Sequence, residues 1–182
     1  MKFESRARCF MMAGVVLTML CTRTAAQDRI ELHTPTALHP DSVFGQVGAW
    51  FSVRNLDGQV VQFADLNGRL LFVNFWATWC APCVAEMPTI LELMKAVGDE
   101  VGVLLISVDE EERDVRRFLK KHKLTAPVFF RGWPPGESTF PAPMIPATFI
   151  VDREGRIVYQ HHGAANWNEE NFLQQLVHWA AS

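Results

Sequence analysis

RLLFVNFW, at residues 69–76, is almost continuously apolar, and VGVLLISVD, at residues 101–109, repeats the pattern. A strand covered on both faces loses the polar–apolar alternation of a half-buried one, so each run predicts an interior strand, the first of them central. Between them Val84, Met87, Ile90, Leu91, Met94 and Val97 recur at helical spacing, with Gly98 following as a stop. Pro88 falls inside this helix and predicts a kink, because it removes a backbone donor and crowds the preceding turn.

EEERDVRRFLKKHK, residues 110–123, predicts a second helix, acidic at its start and basic at its end as the helix dipole favours. Its charge run reads as a solvated face. PVFF (127–130) is a short strand, ATFIVDREGRIVYQH (147–161) a hairpin turning at residues 153–155, and NWNEENFLQQLVHWAA (166–181) a terminal amphipathic helix. Upstream, WFSVRNLDGQVVQFADL (50–66) places two β-rich runs around Asp57-Gly58, a hairpin signal because glycine tolerates positive φ in the turn. RGWPPGESTFPAPMIP (131–146) holds too much proline and glycine for regular structure. Residues 27–47 lack sustained periodicity and read as a surface lead-in, with His33 and His39 as solvated side chains. No internal repeat interrupts this order. It implies an α/β fold: a central mixed sheet with helices on both faces and an N-terminal β-hairpin.

The first 26 residues stand apart. Lys2, Arg6 and Arg8 precede a 12-residue uncharged apolar run, residues 10–21, followed by a small, polar stretch ending Ala25-Ala26. That is the order of a secretory signal, and the run is well short of the roughly 20 residues that span a bilayer. The expected division is a cleaved signal peptide at 1–26, a lead-in at 27–44 and one domain at 45–182. The expected location is exported, periplasmic. An uncleaved anchor or a lipid on Cys21 are the alternatives, although the bulky Leu20 departs from a lipid-attachment site.

Removing residues 1–26 takes away four of the 17 Lys and Arg and one of the 20 Asp and Glu, leaving a net charge of −6. No basic patch stands out, which argues against nucleic acid as a partner. It also takes Cys9 and Cys21, so only Cys80 and Cys83 remain. Two cysteines cannot staple a scaffold. Zinc would need two further ligands, and the adjacent His161 and His162 point to opposite sides of a strand, so no metal is expected. A purely structural disulfide across a two-residue gap removes little chain entropy. The redox reading has a mechanism. Cys80 falls where a strand gives way to a helix, and the exposed N–H groups and the dipole there stabilise its thiolate. Pro82 suits the first helical turn. Cys83, one turn further in, is shielded and placed to resolve a mixed disulfide.

FADLNGRLLFVNFWATWCAPCVAEMP resembles the active-site region of the thioredoxin superfamily, in its exported TlpA/ResA-like branch of thiol:disulfide oxidoreductases. The resemblance extends over residues 45–182. It implies the thioredoxin fold, Cys80 as attacking and Cys83 as resolving cysteine, and a cis-proline facing the pair, which MIPATFIVD matches at Ile145-Pro146. Read without the resemblance, that proline would be an ordinary trans one. A cis bond there would leave the backbone of Ile145 free to pair with an extended substrate, alongside Trp79, Ala81 and Pro82.

Asn74 stands where thioredoxins carry a buried aspartate. Glu86 matches a glutamate of the ResA-like branch, and helical spacing points it back toward Cys83. There it can accept the Cys83 proton, or simply serve as a first-turn carboxylate favoured by the dipole. Trp79 reads as an exposed platform beside Cys80, with a core role as the alternative; Trp76 reads as core. Trp133 lies in the Pro-rich loop, where relatives usually have a short helix.

The reaction this implies is reduction of a protein disulfide, with no cofactor beyond the redox-active Cys80/Cys83 pair. A membrane thiol-transfer protein is the implied electron donor, and apocytochrome c maturation one job of the branch. The alternatives are an oxidase or isomerase of the same fold, against which Ala81-Pro82 leans, and a non-catalytic binding module. A peroxidase lacks its Pro-and-Thr setting here, so antioxidant activity is not expected.

Overall fold

The computed structural model describes residues 30–39, 42–48, 51–66, 68–131, 140 and 142–182. The expected signal peptide, Cys21 and Trp133 lie outside them. In chain order the elements are β1 (Gly45–Gln46), β2 (Ser52–Asn55), β3 (Val60–Gln62), a 3-10 turn (Phe63–Leu66), β4 (Leu70–Trp76), α1 (Ala81–Val97), β5 (Val101–Ser107), α2 (Glu112–His122), β6 (Val128–Arg131), β7 (Ala147–Val151), β8 (Arg156–His162) and α3 (Glu170–Ala181). Among the described residues no helix is long and apolar enough to cross a membrane.

The strands form one mixed sheet in the order β1-β8-β7-β4-β5-β6-β2-β3. β4 is central and buried at every position, as its unbroken apolar run requires. It runs parallel to β5 and antiparallel to β7, and β5 runs parallel to β6. The hairpin expected around Asp57-Gly58 is β2–β3, with Gly58 at φ 82 and Asn55 Oδ1 accepting the N–H groups of Asp57 and Gln59.

Helices cover the two faces unevenly. The crossovers β4-α1-β5 and β5-α2-β6 step in the same direction along the sheet, and right-handed crossovers of that kind lie on the same side. Buried residues of α1 (Met87, Ile90, Leu93), α2 (Val115, Leu119) and α3 (Phe172, Leu176) accordingly share one core with Phe72 and Trp76 of β4. The opposite face receives Phe63 of the 3-10 turn, Phe51 and Phe140, packed on Val73, Phe75 and Phe149. Phe140 is the hub there, its ring 5.1 Å from Phe51, 5.3 Å from Phe75 and 5.1 Å from Phe149.

Three local expectations are adjusted. α1 runs uninterrupted through Pro88 and stops at Gly98 (φ 52) as predicted, but its buried face is Cys83, Glu86, Met87, Ile90, Leu93 and Val97, leaving Val84, Leu91 and Met94 half-buried. α3 begins at Glu170, where the Glu169 carboxylate accepts the N–H of Phe172, so Trp167 lies ahead of the helix and is wholly buried. The lead-in is not merely surface: Leu38 is buried with its N–H donating to Gln175, and His33 forms a parallel bridge with Ala165. His33 and His39 are exposed, as expected.

Candidate active site

Where β4 ends, the chain turns through residues 77–80, the Cys80 N–H donating to the Ala77 carbonyl at 3.2 Å. Asp109, just beyond β5, fixes this turn. Its carboxylate accepts from the Thr78 N–H (3.0 Å), the Thr78 hydroxyl (2.6 Å) and the Ser107 hydroxyl (2.7 Å). Trp79 leaves the turn 70% exposed, while Trp76 is wholly buried against Phe118.

Cys80 is the N-cap of α1, with extended backbone, and its Sγ accepts the Cys83 N–H at 3.3 Å. On reduction the same N–H and the positive end of the helix dipole face the Cys80 sulfur and favour its thiolate. Cys80 and Cys83 are joined as a disulfide, with S–S 2.07 Å and Cα–Cα 5.3 Å. Cys83 is fully buried and Cys80 nearly so, while Ala81 and Pro82 are exposed in the first turn of α1. The Ile145-Pro146 peptide bond is cis. β7 follows it directly, with Ala147 opposite Phe75, so the cis bond sits at the end of the sheet from which the cysteine turn projects.

Glu86, one helical turn below Cys83, is wholly buried. Its Oε1 accepts from Asn74 Nδ2 at 2.9 Å; its Oε2 accepts from the Ala165 N–H at 3.0 Å and from Trp167 Nε1 at 2.9 Å. Burial pushes its pKa from the ordinary 4.5 up to about 7, against the opposing pull of those three donors. The carboxyl is therefore poised to take or give a proton near neutral pH.

The sequence reading brought Cys80, Cys83, Glu86, Trp79 and Ile145-Pro146 to one end of the sheet, and the structure places them there. It did not anticipate Trp167, Thr148 or Asp109. Trp167 was read as part of the last helix; its polar flanks, Asn166 and Asn168, were the available sign that it lies outside an amphipathic face. His161 and His162 point to opposite faces, one ring against Trp167 and the other against Phe149. Burial, then the neighbouring His33 and His162, hold the His161 pKa below its usual value. Among the described residues no group of three or more His, Cys, Asp or Glu is arranged to hold a metal.

The Redoxin family profile matches residues 49–176. The chain belongs to this family. It is 32% identical to the thiol-disulfide oxidoreductase ResA of Bacillus cereus over 129 residues, covering 70% of this chain and 75% of that one. It is also 32% identical over 130 residues to the thioredoxin-like protein YneN of Bacillus subtilis, covering 69% of this chain and 75% of that protein. In fold it is similar to a thiol:disulfide interchange protein DsbE from Chlorobium tepidum, at TM-score 0.63 and 24% identity, covering 76% of this chain and 99% of that one. Within the thioredoxin superfamily this redoxin sits in the TlpA/ResA-like branch of thiol:disulfide oxidoreductases.

Proposed function

We propose that this redoxin reduces protein disulfides in an exported compartment, with Cys80 attacking and Cys83 resolving. The observation that carries the reading is the buried Glu86 carboxyl, poised near pH 7 one turn below Cys83. In the dithiol state the Cys80 thiolate attacks one sulfur of the client disulfide; that S–S bond breaks, a Cys80–client disulfide forms, and the first client thiolate leaves. Glu86 takes the Cys83 thiol proton. The Cys83 thiolate attacks the Cys80 sulfur, the second client thiolate leaves, and the Cys80–Cys83 disulfide closes. Two electrons pass to the client, and the thiolates released take up protons from solvent.

Trp79, Ala81 and Pro82 on one side and Ile145-Pro146 on the other form the client-facing surface. An extended segment fits there by pairing with the backbone at Ile145. Nothing beyond the cysteine pair is needed as cofactor. A further dithiol must recharge the oxidised pair, and a membrane thiol-transfer protein is the donor that suits an exported reductant whose N-terminal segment is basic and then apolar. Apocytochrome c as client rests on the resemblance alone.

The experiment is the equilibrium reduction potential of the Cys80/Cys83 pair together with turnover of Cys80→Ser. A potential near that of thioredoxin, about −270 mV, with turnover abolished, supports the reading. A potential near about −120 mV reverses the direction of electron flow. Disulfide reduction surviving in Cys80→Ser removes the mechanism altogether.

A further inference from the structure

Asn74 is wholly buried on β4, in register with Thr148 on β7. Its Nδ2 donates both to Glu86 Oε1 and to Thr148 Oγ1, each at 2.9 Å, while its Oδ1 is buried without a hydrogen-bond partner among the described residues. A side-chain amide presents donors at one end and an acceptor at the other in nearly the same shape, so a half-turn about its terminal bond exchanges them with little steric change. The neighbours decide which orientation is favoured. An ionised Glu86 offers only acceptors, a protonated one offers an O–H donor, and the Thr148 hydroxyl can act either way.

We propose that Asn74 is a positioning residue whose amide inverts as Glu86 gains or loses its proton, preserving two hydrogen bonds in both states. With Glu86 ionised, Nδ2 donates to Oε1 and to Thr148, as observed. When Glu86 takes the Cys83 proton, the S–H bond breaks and an O–H bond forms on Oε1, because Oε2 already accepts from Ala165 and Trp167. A fixed amide would then hold N–H against O–H. After inversion Oδ1 accepts from the Glu86 O–H and from the Thr148 hydroxyl instead. One end of the amide is unpartnered in either orientation, so Asn74, which as a donor favours the ionised carboxyl in the orientation seen, supports the protonated one to a similar degree once inverted. An aspartate at this position would instead place a second carboxyl beside the first and tie the two titrations together.

Among the described residues the other ionisable groups around Glu86 are few. α1 contributes Cys83. β8 contributes His161, its ring 5.4 Å from that of Trp167, and Tyr159 on the same core; the lead-in contributes His33, bridged to Ala165. β4 and β7 contribute only the uncharged Asn74 and Thr148 beside the carboxyl.

The proposal rests on Glu86 being the proton acceptor for its use in exchange, but its test reads protonation and not turnover, so the two can fail separately. In the oxidised, isotope-labelled protein, the Asn74 side-chain amide is followed by NMR against the Glu86 carboxyl carbon from pH 5 to 9. The expected result is one shared midpoint, with the amide protons near Thr148 and Glu86 above it and turned away below it. Amide protons that keep the same neighbours on both sides of the midpoint overturn the inversion. Asn74→Leu gives a second reading. An inverting amide supports both states, so its loss moves the Glu86 midpoint little. Loss of a fixed donor would raise that midpoint by about one unit or more, and such a rise overturns the proposal. If Asn74→Leu does not fold, the wild-type titration decides alone.

Discussion

Trp167 donates its indole N–H to Glu86 at 2.9 Å although 81 positions separate them along the chain. The same carboxylate oxygen accepts the Ala165 N–H, so one loop ahead of α3 supplies two of the three donors to the buried acid. Each donor favours the ionised form and works against the burial that raises the pKa. Trp167→Phe deletes one donor and keeps a ring to pack against Phe72 and Phe172, whose centroids lie 5.2 and 5.3 Å away. The Glu86 midpoint should rise above about 7 by roughly one unit, the scale of one hydrogen bond to a charged group. Resolution of a trapped Cys80 mixed disulfide should slow about five-fold at pH 7, as the ionised fraction of Glu86 falls from about a half to about a tenth, and recover at higher pH. Stopped-flow measurement of the resolution rate across pH checks this, and an unshifted profile would detach Trp167 from the acid.

Glu86 also makes stability depend on pH. Its folded pKa, about 7, lies above the ordinary 4.5, so between those values the folded state holds more protons than the unfolded one. This contribution favours folding fully when the carboxyl is protonated, below about 4.5, and is lost as pH rises through about 7. The cost of ionising it in the folded protein is about 3 kcal/mol. Glu86→Gln should therefore gain stability relative to the wild type between pH 4.5 and pH 8 by roughly that amount. Urea denaturation of both oxidised proteins at pH 4.5, 6 and 8 tests it; a constant difference would mean that Glu86 does not titrate in this window.

Asp109 clamps the turn that presents Trp79 and Cys80, through both the N–H and the hydroxyl of Thr78. Asp109→Ala frees that turn and should lower kcat/KM toward a protein disulfide by one to two orders of magnitude, roughly the penalty for loosening a reacting group. Asp109→Asn should recover most of the loss, since an amide oxygen in place of Oδ2 still accepts from the Thr78 N–H and the Ser107 hydroxyl, and the amide nitrogen in place of Oδ1 can donate to the Thr78 hydroxyl. If Asn behaves like Ala, negative charge and not geometry is what Asp109 supplies.

What the sequence made legible depended on the range of the interactions. β4 and the β2–β3 and β7–β8 hairpins were readable because an unbroken apolar run and a turn glycine are local signals. The cysteines announced themselves by spacing at a strand-to-helix junction. Glu86 was readable as a residue facing Cys83, but not its complete burial, because Asn74 of β4 and the Ala165–Trp167 loop reach it from two distant parts of the chain. The side taken by α2 was hidden for a related reason. It follows from β6 lying beyond β5 in the sheet, and no periodicity within residues 110–123 encodes strand order.

The buried face of α1 shows the same limit and can be tested directly. Leu91 and Leu93 are chemically identical and two positions apart, so helical spacing alone assigns them to different faces without saying which face is covered. The expected stripe took in Leu91. In the structure Leu93 is wholly buried in the core shared with Phe72 and Phe172, and Leu91 is half-buried, since the face is set by Cys83, Glu86 and Met87 turning toward β4. Leu93→Ala should cost about 2–5 kcal/mol, the transfer of a buried side chain plus the cavity left behind. Leu91→Ala should cost about 1 kcal/mol, because its site can refill with solvent. Chemical denaturation of the two variants, with the disulfide intact, measures the difference. Equal losses would mean that α1 is rotated about its axis relative to the face described, and Glu86 would then no longer point into the core beside Asn74.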